Sequence, residues 1–217
     1  GHVISAPRYC KEWLKIKANL GLDGKEVRVN KNYKIKASFF MPKKNANIFW
    51  EELIRSIDFI SSYREIELII LNYNPYFPKL PNHIAKRDNI RQYLISKEYS
   101  TSKIIDWSDI VFHAGSSVMY EFFMKDKVSI YLRHLTCNIL LSDAYNAGFN
   151  LRTRDELRNI CNDAVNSLNE VKRIYRKKCR VSNKKFNDDL VNANSKSVKS
   201  NINKIMYKIC NNLQNDK

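Results

Sequence analysis

The chain has 217 residues, 44% of them hydrophobic and 12% aromatic, and 38 Lys+Arg stand against 22 Asp+Glu for a formal net charge of +16. That apolar content supports one sizeable core and excludes wholesale disorder, while no apolar run approaches the ~20 residues of a membrane-spanning helix. The five cysteines are odd in number, scattered and without a CxxC, and the four histidines lack ligand spacing; both facts argue for reduced thiols and against a disulfide framework or a structural zinc site.

A surface this basic favours anionic partners: nucleic acid, an acidic lipid face or phosphorylated substrates. A composition rich in Lys, Asn and Ile produces a similar excess as background, so charge leaves the partner open. The reduced thiols point to a cytoplasmic protein, and the N-terminus lacks a signal-peptide pattern. Gly1-His2 has the look of an engineered leader, and the natural start is expected elsewhere.

Residues 1–30 read as a linker or the remnant of a preceding domain, extended before Pro7, then helical, then looped at Gly21 and Gly24. Tyr33 to Met41 (YKIKASFFM) predicts a strand ended by Pro42. Ile48, Phe49, Leu53, Ile57 and Ile60 recur at helical spacing over Asn47 to Ser61, with Asn47 as N-cap. Ile66 to Tyr73 (IELIILNY) is a largely apolar run of the kind buried parallel strands show, ended by Asn74-Pro75. Asn82 to Leu94 is expected to be helical, as is Ser102 to Trp107. Asp109 to His113 (DIVFH) and Val128 to Leu132 (VSIYL) predict strands on either side of a helix over Val118 to Lys125. A further helix is expected after Asn138, with Ile139, Leu140 and Ala144 on one face and Gly148 at its end, and a longer one over Asp155 to Arg176.

Strands alternating with helices indicate an α/β fold, a parallel Rossmann-like sheet covered on both faces, over residues 31–170. Residues 171–217 form a basic, helical extension, with the run RIYRKKCR over Arg173 to Arg180 and a weak amphipathic helix around Ile202 to Leu213. No internal repeat is present.

The stretch Ile104 to Phe123, IIDWSDIVFHAGSSVMYEFF, places Gly115 between a predicted strand and a predicted helix. Sheets of this kind bind ligands beyond the carboxyl ends of their strands. Glycine there permits a positive φ, Ser116 and Ser117 offer hydroxyls, and unpaired N–H groups favour an anion. Glu121, one turn on from Ser117, is placed to accept hydrogen bonds from sugar hydroxyls. The plainer alternative is that Ser116 only caps a helix and Glu121 is a solvated charge. GxGxxG and the P-loop pattern are both absent.

Ser100 to Phe123, STSKIIDWSDIVFHAGSSVMYEFF, resembles the C-terminal half-domain of bacterial GT-B glycosyltransferases of cell-envelope polysaccharides, namely the capsule and lipopolysaccharide transferases of the Kdo-transferase type. The CDP-glycerol glycerophosphotransferases share its Ser-Ser turn. Ala37 to Met41 with Pro42, Tyr131 to Asn138 (YLRHLTCN) and Val3 to Trp13 (VISAPRYCKEW) are similar to other pieces of that half in the same order, so the resemblance covers roughly residues 3 to 165.

The resemblance implies the donor-binding half of an inverting, metal-independent transferase that uses no cofactor. Its donor is a nucleotide-sugar, CMP- or CDP-linked. Gly115, Ser116, Ser117 and His113 would meet the donor phosphate, and Glu121, Asn74, Pro75, Arg133 and His134 the nucleotide or sugar. The partner implied is a polysaccharide or lipid-linked acceptor, with no specific nucleic acid. Separately, the basic run Arg173 to Lys178 is a candidate contact for an anionic inner-membrane surface, with a solvated helix face as the plain alternative. Many relatives carry His-Pro where this chain has Asn74-Pro75, and Asn supplies neither a positive charge nor a transferable proton. The chain also has room for one half only, so an acceptor-binding half is expected elsewhere. Two other classes stay open: a basic nucleic-acid-binding module, and a degenerate half-domain serving as a docking partner.

Lesser candidates are Arg8 and Lys11 as phosphate contacts and Tyr73, Tyr76 and Phe77 as a stacking platform. Asp106 and Asp109 bracket Trp107-Ser108 and are read as capping and terminating a helix, not as paired catalytic acids.

Overall fold

The computed structural model describes residues 27–42, 47–72, 80–94, 100–116 and 118–189. Six strands form one parallel sheet: β1 (Ile35–Phe40), β2 (Ile66–Asn72), β3 (Ile90–Leu94), β4 (Ile110–His113), β5 (Val128–Leu132) and β6 (Phe149–Leu151), in the order β3-β2-β1-β4-β5-β6. Helices α1 (Trp50–Ser62), α2 (Asn82–Ala85), α3 (Thr101–Trp107), α4 (Met119–Met124), α5 (Leu141–Tyr145) and α6 (Arg154–Asn187) connect or cover them, and a 3-10 turn, Arg133–Leu135, follows β5. Among these residues no helix is long and apolar enough to cross a membrane.

The central strands are buried on both sides, which is why β2 and β5 read as largely apolar runs. Ala37, Phe39, Leu68, Ile70, Ile110, Phe112 and Ile130 point to one face, covered by Leu53, Ile57 and Ile60 of α1 and by Leu157, Cys161 and Ala164 of α6. Phe40, Ile69, Leu71 and Val111 point to the other, under Ile104 and Ile105 of α3 and Phe122 and Phe123 of α4. Each fully buried aliphatic or aromatic side chain contributes roughly 1.5–3 kcal/mol.

Several expectations are corrected. The helix expected from Asn47 starts at Trp50, with Phe49 in the cap position and no side-chain cap; Ile48 instead bridges Thr136 in an antiparallel pair, and Phe49 is 54% exposed. Asn82 to Leu94 is not one helix. It breaks after Ala85, and the edge strand β3 follows. The break is held by Asn89, whose buried amide donates to the carbonyls of Ser61, Tyr63 and Ile66 at 2.9, 3.1 and 2.9 Å. The helix expected after Asn138 is the five-residue α5, closed by Asn146 in the left-handed region and not by Gly148, and its start is tied by the Leu140 N–H to Asp143 Oδ2 at 2.9 Å. Ile139 is 79% exposed, so it belongs to no helical face. Strand β6 was not expected at all.

Helix α6 starts at a capping box, Thr153 with Glu156. It changes direction at Ser167, whose φ of −155° and ψ of 94° are extended and whose hydroxyl accepts the Glu170 N–H at 3.3 Å. The expected boundary at 170/171 lies within its second segment, where Val171, Tyr175, Cys179 and Phe186 are buried. Phe186 packs on Tyr120, Phe123 and Tyr145, so this helix reaches the cluster on the opposite face from the one it starts on.

Candidate functional site

Strands β1 and β4 are neighbours, yet the helices that follow them cover opposite faces of the sheet. Their carboxyl ends therefore flank the crevice where chain connections diverge, the place where such sheets take ligands. His113-Ala114-Gly115-Ser116 lies at the end of β4. Gly115 has a φ of +93°, the conformation for which a residue without Cβ is needed. The half-buried Ser116 accepts the Val118 N–H on its Oγ at 3.3 Å and the Met119 N–H on its carbonyl at 3.1 Å, so its hydroxyl holds the turn into α4. Ser117, Asn74 and Pro75 lie outside the described residues, as do Tyr73, Tyr76 and Phe77. Helix α4 has six residues, so its dipole is small, and local N–H and O–H groups must supply most of any attraction for an anion.

His113 does not open onto this crevice. Its side chain is 1% exposed, stacked on Tyr131 with ring centroids 5.4 Å apart and packed against Phe122. The Gly115 N–H points to Nδ1 at 3.4 Å, which leaves the proton on Nε2 to be donated to Ser129 Oγ at 3.2 Å. Burial drops the imidazole pKa to about 3, so the ring is neutral. It supports the turn from beneath, where sequence reasoning had expected a phosphate contact.

Glu121 is turned toward α3. Its carboxylate lies 3.4 Å from Lys125 Nζ, which also meets Asp106 at 2.8 Å and the Ser102 hydroxyl. Neither Asp106 nor Asp109 ends α3. Ser108 does so, donating to the Ile104 carbonyl at 2.7 Å, while Asp109 accepts the Lys36 N–H and pairs with Lys172 at 2.6 Å. These carboxylates are structural ties between elements.

The segment after β5 comes to the Gly115 turn from the other side. Leu140 lies over Gly115, with Cδ2 3.4 Å from where a Cβ would stand, and the Tyr131 hydroxyl donates to the Asn138 carbonyl at 3.2 Å. Arg133 belongs to this segment, donating to the Thr136 carbonyl with Nε 3.8 Å from Asp143. Leu140 thus links the Gly115 turn to Asp143, the residue that Arg133 faces.

His134 faces elsewhere. Its ring donates from Nδ1 to the Leu151 carbonyl at 3.4 Å and accepts the Ser56 hydroxyl at 3.3 Å, and burial lowers its pKa. It lines a cleft of about 570 Å³ with Phe49, Trp50, Glu51, Glu52, Arg55 and Arg154. Glu52 and Arg154 form a two-pronged ion pair across it, and the Arg154 hydrogen bonds hold the Glu52 carboxyl below its ordinary pKa. Sequence reasoning missed this cleft. Its one available signal was Phe49 near the mouth of a helix, read as part of the apolar face. Among the described residues no group of His, Cys, Asp and Glu could hold a metal ion.

No protein-family profile matches the sequence, and no curated protein does. Solved structures do. One described as a UDP-N-acetylglucosamine 2-epimerase from Listeria monocytogenes is 12% identical, with a TM-score of 0.51 over 82% of this chain and 55% of its own. The spinosyn rhamnosyltransferase SpnG is 13% identical, with a TM-score of 0.51 over 82% of this chain and 46% of its own. The chain spans about half the length of the structures it matches. At such identity the likeness shows the fold: α/β, a Rossmann-like parallel sheet flanked by helices, matching one half of the GT-B arrangement. An epimerase and a transferase share it, so fold alone does not choose the reaction.

Proposed function

We propose that this chain is the donor-binding half of a glycosyltransferase of bacterial cell-envelope polysaccharide synthesis, taking a CMP- or CDP-linked sugar at the carboxyl edge of the sheet. The observation that carries this reading is the turn at Gly115, with its positive φ and half-buried Ser116, standing where β1 and β4 diverge. The motif resemblance of Ser100 to Phe123 supplies the donor class, and the epimerase neighbour is a protein named for a nucleotide-sugar.

In a direct displacement, the acceptor hydroxyl attacks the anomeric carbon as the bond to the phosphate breaks, and negative charge gathers on the departing phosphate. In this reading the Ser116 hydroxyl and N–H stabilise that charge, since the Gly115, Val118 and Met119 N–H groups are spent within the turn. Arg133, on the segment after β5, is the candidate cation. A base must take the acceptor proton. In this reading the base belongs to the acceptor-binding half, because His113 is enclosed and Glu121 is paired with Lys125.

The test is thermal unfolding with CMP, CDP, UDP and GDP at millimolar concentration. A nucleotide present at a hundred times its Kd adds about 2.7 kcal/mol, which for a chain of this size raises Tm by about 5–10 °C. A cytidine nucleotide is expected to produce the rise, and Ser116→Ala with Ser117→Ala to abolish it. No rise with any of the four overturns the proposal.

A further inference from the structure

The second segment of α6 turns outward a face that the donor site does not use. Val171, Tyr175, Cys179 and Phe186 fix its inner side. At 3.6 residues per turn, the opposite side carries Ile174 and Val181, two turns apart. Lys177 and Lys184 run along one flank of that pair, and Lys178 and Lys185 along the other. All four lysines are exposed, Ile174 is half-buried and Val181 is 79% exposed.

The ion pairs of this segment lie away from that outer face: Lys172 holds Asp109, Arg173 holds Glu170, and Arg176 holds Asp126. The four lysines and Arg180 form no ion pair among the described residues. Acidic groups on the outer side are confined to Glu170 and Asp188, at its two ends. An ordinary solvated helix face would intersperse both signs and bury its aliphatic groups.

We propose that this face is a docking surface for an anionic lipid bilayer, with the helix lying in the plane of the headgroups. Valine and isoleucine enter the boundary between headgroups and acyl chains, and the lysine stems lie along them while the ammonium groups stay with lipid phosphates. The aliphatic stripe between the lysine rows favours lipid over nucleic acid, since a phosphate backbone offers it nothing to enter.

The experiment is co-sedimentation of the full chain with vesicles of phosphatidylcholine alone and of phosphatidylcholine with phosphatidylglycerol. Binding is expected only to the second, weakening with salt. Each basic residue near such a surface is worth about fivefold in affinity, so joint replacement of Lys177, Lys178, Lys184 and Lys185 by Gln should cost about a hundredfold or more. Val181→Asp should weaken binding with all lysines kept. The substitutions are at exposed positions, so Tm and any nucleotide-induced rise should stay unchanged, which separates this surface from the donor site. The proposal is overturned if neutral vesicles bind equally, if the four-lysine variant sediments like the parent, or if Val181→Asp has no effect while single-stranded RNA displaces the vesicles.

Discussion

Mild acid should destabilise this protein through one ring, His113. Burial drops its pKa from the ordinary 6.5 to about 3, so at pH 5 the unfolded chain takes up a proton there and the folded chain does not. Stability from this source is complete above about pH 6.5 and falls as the pH drops toward 3. Integrated from pH 7 to pH 5, the difference in bound protons costs about 2 kcal/mol. His134, also depressed by burial, adds to the loss in the same direction. His113 is isolated by replacing the hydrogen-bonded pair together, His113→Phe with Ser129→Ala, since removing one partner alone strands the other. Urea unfolding followed by tryptophan fluorescence at pH 7 and pH 5 is the assay. The variant is weaker at pH 7, where the Gly115 N–H has lost its acceptor, but its loss between the two pH values should be about 2 kcal/mol smaller than the parent's. Equal losses in the two proteins refute the assignment of a neutral, enclosed imidazole.

Two glycines in the left-handed region should respond differently to alanine. Each carries about 1–2 kcal/mol of backbone strain on substitution, but a Cβ at Gly115 meets only a mobile Leu140 methyl at 3.4 Å, whereas one at Gly148 stands 3.2 Å from the Ser129 carbonyl and 3.2 Å from the Phe123 ring. Gly148→Ala is expected to cost clearly more in urea unfolding, and the reverse ranking refutes the geometry. Asn89→Ala removes three hydrogen bonds to carbonyls between α1, β2 and β3 and should cost about 1–3 kcal/mol, with hydrogen exchange rising first at the Leu68 amide, which donates to the Asn89 carbonyl.

The sheet's centre was legible because its strands are enclosed on both faces, and composition alone marks such segments: Val128 to Leu132 was read to the residue, and Ile66 to Tyr73 to within one. The edges were not. In β3, Arg91 and Gln92 interrupt the apolar run, because an edge strand has one solvated side, and β6 has three residues, too few for any period to show. At the turn, Gly115 was legible from its type and place. His113 was misplaced because sequence reveals that a histidine ends a strand but not that Tyr131, Ser129 and Phe122 close around it. The cleft at His134 joins residues from α1, the turn after β5 and the start of α6, a conjunction that only tertiary packing creates.

Helix α6 contributes side chains to both hydrophobic clusters, and its Asn183 and Cys179 clasp the Gly148 N–H and carbonyl at 2.8 and 3.4 Å. One cluster is incomplete until Cys179 is available and the other until Phe186 is. During synthesis the ribosome's exit channel still holds that segment after the strands have emerged, so the growing chain presents bare apolar sheet until α6 follows. Prompt closure, and the chaperone traffic that covers any delay, are decided by the arrival of α6.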